Sequence, residues 1–325
     1  MSEKMMYGAS LKGMRAAFGE TLVELGKKNE NIVVVDCETG TATNILGFRD
    51  SFPDRYLTLG VAEQNGISFA FGLSRSGLIP VVSLFSAFMT RRALDQIFIQ
   101  VGYAYANIKL IGCYSGLTSP NTGATHQSIN DISIMRSIPG MAVIETADEF
   151  ELKQALDRVI EYKGPVYLRM IRGDISPYDQ RVIPANHQFS IGKASILRKG
   201  KDITLIGSGM MVARCLEAAE ELFKRGVDAE VINCSTIKPL DGEIIINSVR
   251  KTGAAVTAEN HSIVGGLGSA VTELVCENYP VTVKRVGIKD RYGESAELKD
   301  LFTHYGLNTE NILNAVDKIQ KEGQR

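Results

Sequence analysis

The chain has 325 residues, which at roughly 150 residues per domain predicts about two domains. Its 36 Lys and Arg residues against 37 Asp and Glu residues give a formal net charge of −1, so no basic excess favours nucleic acid or an acidic membrane. The five cysteines are scattered without a CxxC pair and indicate neither a disulfide framework nor a zinc site. The first residues lack the pattern of a signal peptide, and the longest apolar stretch, residues 78–89, is too short to span a bilayer. We therefore expect a soluble, cytoplasmic protein.

Helical and extended patterns alternate along the first half of the chain. Apolar residues recur at helical spacing from Leu11 to Leu25, and the uninterrupted β-branched run Ile32–Asp36 is typical of a buried strand. The same reasoning predicts helices over 63–74, 90–103, 130–137 and 148–162, and strands over 80–85, 108–114, 141–145 and 166–171. Strands separated by helices indicate a doubly wound, mainly parallel sheet.

The segment 173–188 breaks this alternation, because it contains Pro177 and Pro184 and has no clear period. We predict a linker over residues 176–190. Beyond it, the pattern predicts strands over 203–206, 229–232, 254–258 and 282–286, and helices over 212–224, 242–249, 269–278 and 309–321. The sequence thus predicts an α/β fold of two doubly wound, mainly parallel-sheet domains, over residues 1–175 and 191–325.

Two glycine-rich turns precede predicted helices in the second half. Gly207-Ser-Gly209 is similar to a dinucleotide fingerprint, but it lacks the third glycine and an acidic residue at the end of the next strand. Gly265-Gly-Leu-Gly268 has the same ambiguity, and we interpret both as structural turns. The four histidines show no metal-ligand spacing, so we predict no metal site within this chain.

A more informative group lies where predicted strands end. Glu63 occupies the first turn of a glycine-rich helix, where an isolated carboxylate is most often a helix-terminal residue favoured by the dipole. Phe85 and Phe88 follow the next strand, and His126 lies in a polar loop after the strand beyond. All of them are on connections leaving the carboxyl ends of parallel strands, where open α/β sheets bind ligands.

These residues belong to segments that resemble the C-terminal section of a transketolase, which consists of the pyrimidine-binding domain and the small C-terminal domain. The matching segments are Val61-Ala-Glu63-Gln, Phe85-Ser-Ala-Phe88, Gly123-Ala-Thr-His126-Gln127, Ile138-Pro-Gly-Met141, Ile237-Lys-Pro-Leu-Asp241, Glu259-Asn-His261, Gly265-Gly-Leu-Gly268 and Tyr292-Gly-Glu-Ser295. Each is weak alone, but their common order along the chain is specific. The resemblance implies transfer of a two-carbon ketol unit from a ketose phosphate to an aldose.

The resemblance also implies a shared cofactor site. Transketolases hold thiamine diphosphate through Mg²⁺ with a GDG…N motif in a separate domain, and this sequence contains no GDG. We therefore expect an N-terminal transketolase subunit to carry that motif, to bind Mg²⁺ and to complete the cofactor site. Because family sites form across a dimer interface, the resemblance implies an α2β2 assembly.

By resemblance, Glu63 places its carboxyl group against N1′ of the cofactor's aminopyrimidine, and Phe85 and Phe88 hold the pyrimidine ring. Arg91 stands at the family's third aromatic position around this ring. His126 matches a histidine that hydrogen-bonds the sugar hydroxyls.

The residues expected at the substrate include departures from the family pattern. Arg15, Arg172 and Thr43 match residues that bind the distal phosphate, and guanidinium geometry suits such an oxyanion. Tyr114 stands where the family has a histidine, and Thr122 where it has an aspartate that binds a sugar hydroxyl. These two differences favour a branched, deoxy or sulfonated ketose as an alternative substrate.

Three other functions stay open at this point. The β subunit of a 2-oxo-acid dehydrogenase has the same two domains and the Ala-Glu-Gln element, although the segments around His126 and Tyr292 favour a transketolase. Half of a deoxyxylulose-phosphate synthase is a second alternative. A non-catalytic regulatory subunit that keeps only the fold is a third.

Overall fold

The structure is a computed structural model that describes residues 8–9, 13–172 and 180–323. Its strands form a seven-stranded sheet, a five-stranded sheet and one antiparallel pair. The strands are β1 (Gly8–Ala9), β2 (Ile32–Asp36), β3 (Tyr56–Thr58), β4 (Ile79–Phe85), β5 (Lys109–Cys113), β6 (Ala142–Glu145), β7 (Val166–Arg169), β8 (Gln180–Arg181), β9 (Ser195–Arg198), β10 (Ile203–Gly207), β11 (Ala229–Asn233), β12 (Thr236–Lys238), β13 (Ala254–Ser262) and β14 (Thr282–Ile288).

Helices connect most of these strands. They are α1 (Met14–Lys28), α2 (Gly40–Thr43), α3 (Leu46–Ser51), α4 (Glu63–Arg75), α5 (Ser86–Arg92), α6 (Leu94–Gln96), α7 (Asp131–Ser137), α8 (Glu149–Glu161), α9 (Met211–Lys224), α10 (Gly242–Thr252), α11 (Leu267–Asn278), α12 (Leu298–Tyr305) and α13 (Thr309–Gly323), with 3₁₀ turns at Pro53–Arg55 and Pro120–Thr125 and a π-helical segment at Ile97–Tyr103. Within the described residues, no helix is long and apolar enough to cross a membrane.

The seven-stranded sheet has the order β12-β6-β7-β5-β4-β2-β3, and only the β12–β6 pair is antiparallel. Strands β2, β5, β6 and β7 are buried at every residue, which matches their continuous apolar runs and a sheet covered on both faces. The five-stranded sheet has the order β14-β13-β10-β11-β9 and is parallel except for β9. The predicted fold class, two mainly parallel α/β sheets, is confirmed.

Local sequence explains where several helices begin and end. The Asp148 side chain accepts a hydrogen bond from the Glu151 backbone at the start of α8. At the end of α10, Gly253 adopts a φ of 75°, which only glycine tolerates without strain. The prediction of a single helix over 90–103 was wrong. Ala93 (φ −104°, ψ 23°) leaves the helical region and separates α5 from α6.

The two halves of the chain are interleaved more closely than the sequence predicted. Strand β12 comes from the second half, yet it extends the first sheet by pairing with β6. Of the predicted linker, residues 176–190, only 180–190 lie in the described part of the chain, and there β8 pairs with β1. The predicted domain boundaries stay predictions.

A buried polar cluster also joins the two sheets. Arg169 at the end of β7 is fully buried, donates from Nε to Asp131 Oδ2 at 2.8 Å, and pairs with Glu145. Its Nη2 donates to the carbonyl of Asn260 on β13 at 2.9 Å. Burial alone would raise the pKa of Asp131, but attraction to Arg169 and His261, together with hydrogen bonds from Arg169 and Tyr167, outweighs burial and lowers that pKa below its usual value.

Candidate active site

The carboxylate predicted to contact a cofactor lies at the start of α4. Glu63 is only 3% exposed, and both of its oxygens accept hydrogen bonds from Nη1 of Arg92 at 2.8 Å. The Arg92 side chain on α5 remains 47% exposed. Glu63 is therefore buried beneath a partner that can move into solvent.

Gly66 brings the first turn of α4 close to the sheet. A Cβ at this position would lie 2.8 Å from the Sγ atom of Cys37, which follows β2. The glycine thus permits a close approach that a larger side chain would prevent. Burial raises the pKa of Cys37 to about 11, so this thiol packs as a neutral apolar group.

Aromatic rings continue from the Glu63–Arg92 pair across the carboxyl edge of the first sheet. The Arg92 guanidinium lies 4.6 Å from the ring centroid of Phe88, whose centroid is 6.0 Å from that of Phe85. The His126 ring lies 5.0 Å from Phe88, and the Tyr114 ring lies 4.6 Å from Phe85. The structure therefore brings these predicted residues together in one continuous cluster.

Two arginines converge on the far end of this cluster. Nη1 of Arg15 donates to the Tyr114 hydroxyl at 3.1 Å, and the Arg172 guanidinium lies 5.7 Å from the Tyr114 ring centroid. Tyr114 itself has a φ of 60°, in the left-handed region that a non-glycine residue rarely adopts. A strained residue held between two cations marks this end of the cluster as a candidate anion site.

The two predicted threonines lie outside this chain of contacts. Thr43 is fully buried, and its hydroxyl donates to the carbonyl of Thr39 at 3.1 Å. Thr122 donates to the carbonyl of Ser119 at 2.9 Å within the 3₁₀ turn that precedes His126. Both hydroxyls stabilise local backbone, and their substrate roles stay predictions.

Arg91 links α5 to the loop that carries His126. Its Nε donates to the carbonyl of Ala87 at 3.1 Å, and its Nη2 donates to the carbonyl of Thr125 at 2.7 Å. The Thr125 hydroxyl in turn lies 2.9 Å from Nδ1 of His126. Arg91 therefore positions the histidine through the backbone in this structure.

Arg92 is the site residue that the sequence reasoning missed. It follows Phe88 by four residues on α5, so helical spacing places both side chains on one face. That spacing could have drawn attention to Arg92 beside the predicted Arg91. What it could not show is the pairing with Glu63, which is 29 positions away along the chain.

Both glycine-rich turns of the second half are filled by the protein's own carboxylates. The Ser208 hydroxyl donates to Glu145 at 2.6 Å, and the Glu259 carboxylate accepts from the backbone of Leu267 and Gly268 at the start of α11. These contacts support their interpretation as structural turns.

Comparison with known proteins matches both halves of the chain. The family "Transketolase, pyrimidine binding domain" matches residues 12–177, and the family "Transketolase, C-terminal domain" matches residues 192–312. The 6-deoxy-6-sulfo-D-fructose transketolase subunit SqwH of Clostridium sp. (strain MSTE9) is 42% identical over 306 residues, which are 94% of this chain and 94% of that protein.

Two further comparisons distinguish whole-length from partial relatives. The 1-deoxy-D-xylulose-5-phosphate synthase of Desulfotalea psychrophila is 38% identical, but the match covers 94% of this chain and only 48% of the synthase. A solved structure described as a split gene transketolase, inactive β4 tetramer, matches 96% of this chain and 98% of its own, with a TM-score of 0.86 and 38% identity. The chain belongs to the transketolase family, of which it contains the pyrimidine-binding and C-terminal domains.

Proposed function

We propose that this chain is the catalytic C-terminal subunit of a two-chain transketolase, which moves a two-carbon ketol unit from a ketose to an aldose. The observation that carries the proposal is the unbroken line of contacts from Glu63 through the aromatic rings to Arg15 and Arg172. It provides a buried carboxylate, flat apolar surfaces and an anion site in the order that a cofactor and a sugar phosphate require.

The residues present fit one half of thiamine diphosphate. A buried carboxylate beside half-buried Phe85 and Phe88 suits an aminopyrimidine, which offers a ring nitrogen and two apolar faces. In the described part of the chain, no group of three or more His, Cys, Asp or Glu residues could hold a metal ion. We infer that an N-terminal partner subunit binds the diphosphate and Mg²⁺, and that two copies of each chain assemble as α2β2.

When bound, the cofactor supplies the electron sink for cleaving and forming the carbon–carbon bond. Glu63 would hold the pyrimidine nitrogen and would be the group that exchanges a proton at that atom. In the described structure both Glu63 oxygens accept from Nη1 of Arg92, so Arg92 competes with the pyrimidine for this carboxylate. Because the Arg92 side chain is 47% exposed, it can turn into solvent and leave the Glu63 carboxylate to the cofactor.

The opposite end of the cluster selects the sugar. Arg15 and Arg172 bind the terminal anion of the ketose, and Tyr114 contributes the hydroxyl that Arg15 already orients. The Thr125 hydroxyl engages Nδ1 of His126, which leaves Nε2 to meet a sugar hydroxyl. The similarity to a sulfo-fructose transketolase subunit supports a sulfonate as an alternative to phosphate at the anion site.

The proposal is tested with the chain and its co-purifying partner. Affinity capture from the native lysate is expected to recover a polypeptide with a GDG motif and bound thiamine diphosphate. In the assembled enzyme, Glu63→Ala is expected to reduce ketol transfer to below about 3% of the wild-type rate while the melting temperature is maintained, since about 2 kcal/mol of transition-state stabilisation corresponds to a thirty-fold loss. The matched control, Glu24→Ala, removes an exposed carboxylate of α1 and should leave the rate unchanged.

Substrate assays separate the alternatives. Release of CO₂ from a 2-oxo acid would favour a 2-oxo-acid dehydrogenase, and condensation of pyruvate with glyceraldehyde 3-phosphate would favour a deoxyxylulose-phosphate synthase. Assembly with the partner but without any thiamine-dependent rate would favour a regulatory subunit. Each of these outcomes contradicts the proposed ketol transfer.

A further inference from the structure

A second charged cavity lies in the second half of the chain. It has a volume of about 450 Å³ and is enclosed by the edge strand β14, the loop that follows it, and helices α12 and α13. The residues that line it lie between positions 284 and 318, so it shares none with the candidate active site.

The lining of this cavity is basic. Its basic side chains are Lys284, Arg285, Lys289, Arg291, His304 and Lys318, and no carboxylate is among the described residues that line it. A concave surface walled by one sign of charge concentrates counter-ions of the other sign. The near-neutral charge of the whole chain does not explain this concentration of cations.

Some of these cations are held by neighbouring groups. Lys284 pairs with Glu322 at 2.7 Å. Arg291 donates to the carbonyl of His304 at 2.7 Å, and its guanidinium lies 4.2 Å from the Tyr305 ring centroid. His304 also lies 3.3 Å from a carboxylate oxygen of Glu294. These contacts fix part of the basic wall in place.

Arg285 is held as well, because its Nη1 donates to the carbonyl of Ile263 at 2.8 Å. The two lysines that remain have no such neighbour. Lys289 and Lys318 are exposed, and among the residues that the structure describes neither ammonium group has a hydrogen bond or an ion pair. Lys289 follows the carboxyl end of β14, where parallel sheets commonly bind ligands. Lys318 faces it from α13. The cavity thus places unneutralised charge on two different elements.

Helical spacing turns a polar face of α13 toward the same space. Asn311, Asn314 and Lys318 recur at intervals of three and four residues, and all three line the cavity. Their amide and ammonium groups add hydrogen-bond donors to the lysine of the opposite wall. Donors from several directions suit a ligand with more than one anionic group.

We propose that this cavity binds a small polyanion, a metabolite that carries two or more phosphate, sulfonate or carboxylate groups, at a site separate from the active site. One anionic group contacts Lys289 and Arg291 after β14, and another contacts Lys318 on α13. Because the cations are exposed, the affinity decreases as ionic strength rises.

Calorimetric titration of the purified full chain with sodium pyrophosphate tests this site. The double variant Lys289→Ala/Lys318→Ala is expected to bind at least ten-fold more weakly than the wild type. The control double variant Lys299→Ala/Lys321→Ala removes two exposed lysines that do not line the cavity, and its affinity should stay within two-fold of the wild type. Arg172→Gln, at the candidate substrate site, should also retain binding.

Three results would overturn the proposal. The wild type could fail to bind pyrophosphate, the two double variants could bind it equally, or Arg172→Gln could abolish the binding. The third result would place the anion at the candidate active site. A failure of the proposed ketol transfer is a separate outcome, because it is measured in the assembled enzyme and does not change pyrophosphate binding by this cavity.

Discussion

The first sheet carries two sets of charged side chains that differ in their surroundings. Arg169 and Lys109 lie on the neighbouring strands β7 and β5 and are fully buried, whereas Arg92, Arg15 and Arg172 lie at or beyond the carboxyl edge and are partly exposed. The Lys109 ammonium donates to three oxygens at 2.6–3.0 Å. Hydrogen-bond partners within the protein surround these buried cations, while the partly exposed cations at the edge of the sheet remain accessible to a ligand.

This difference separates structural from functional charge. A buried ion is tolerated only when hydrogen bonds compensate for lost hydration. Arg169 donates hydrogen bonds to Asp131 in the first half of the chain and to Asn260 in the second, which indicates a structural role. The partly exposed arginines incur less of that desolvation cost and can exchange a protein contact for a substrate contact.

Arg169→Met is expected to have the largest effect. It leaves Asp131 and Glu145 buried without their cation, and breaking a buried pair in this way costs about 3–5 kcal/mol. Guanidinium denaturation measures the free energy of unfolding. The control Arg158→Met breaks an exposed pair with Glu161 and should cost about 1 kcal/mol or less. Equal losses in the two variants would contradict the structural role.

Lys109 predicts a pH dependence of stability. Burial, together with repulsion from Lys163, lowers the pKa of Lys109 from 10.5 to about 7. Between these values the unfolded chain binds more protons than the folded one, so the free energy of unfolding contributed by this residue rises with pH from about 7 to 10.5. Lys109→Met should remove that rise in a series of denaturation curves, and an unchanged slope would contradict the assignment.

Arg172→Gln tests the proposed anion site. The KM of the assembled enzyme for an anionic ketose should rise about ten-fold, which corresponds to about 1.4 kcal/mol, while kcat stays within about two-fold. A ketose without a terminal anion serves as the sharper control, because its KM should not respond to the substitution. Arg75→Gln, which removes an exposed charge at the end of α4, controls for the lost charge. A uniform increase for both sugars would argue against anion recognition.

Arg92→Met is expected to have the smallest effect, and it should strengthen ligand binding where Arg172→Gln weakens it. If Arg92 competes with the pyrimidine for Glu63, its removal should tighten thiamine diphosphate binding by about two- to five-fold, which corresponds to the roughly 0.5–1 kcal/mol net value of one hydrogen bond. Titration of the assembled, cofactor-free enzyme measures this affinity. Weaker binding would instead show that Arg92 holds Glu63 in its functional position.

Much of the fold could be predicted because its strands are buried on both faces. Strand β2 was predicted with its observed bounds, and the starts of α4 and α10 fall at the predicted residues. Strand β12 was missed, since it has three residues and acquires its pairing only from β6. Short edge strands have little periodicity of their own, and their partners lie far away in sequence.

The sequence by itself determined the α/β class, the transketolase resemblance and the position of Glu63, Phe85, Phe88 and His126 at strand ends. These properties follow from local periodicity and from short motifs, which can be recognised without knowing any tertiary contact. Only the tertiary structure decided that Arg92 covers Glu63, that Arg169 joins the two sheets, and that separate elements enclose a basic cavity. Each of these depends on side chains that the chain brings together from distant positions, and the free energy of such contacts comes from burial and geometry that no local pattern encodes.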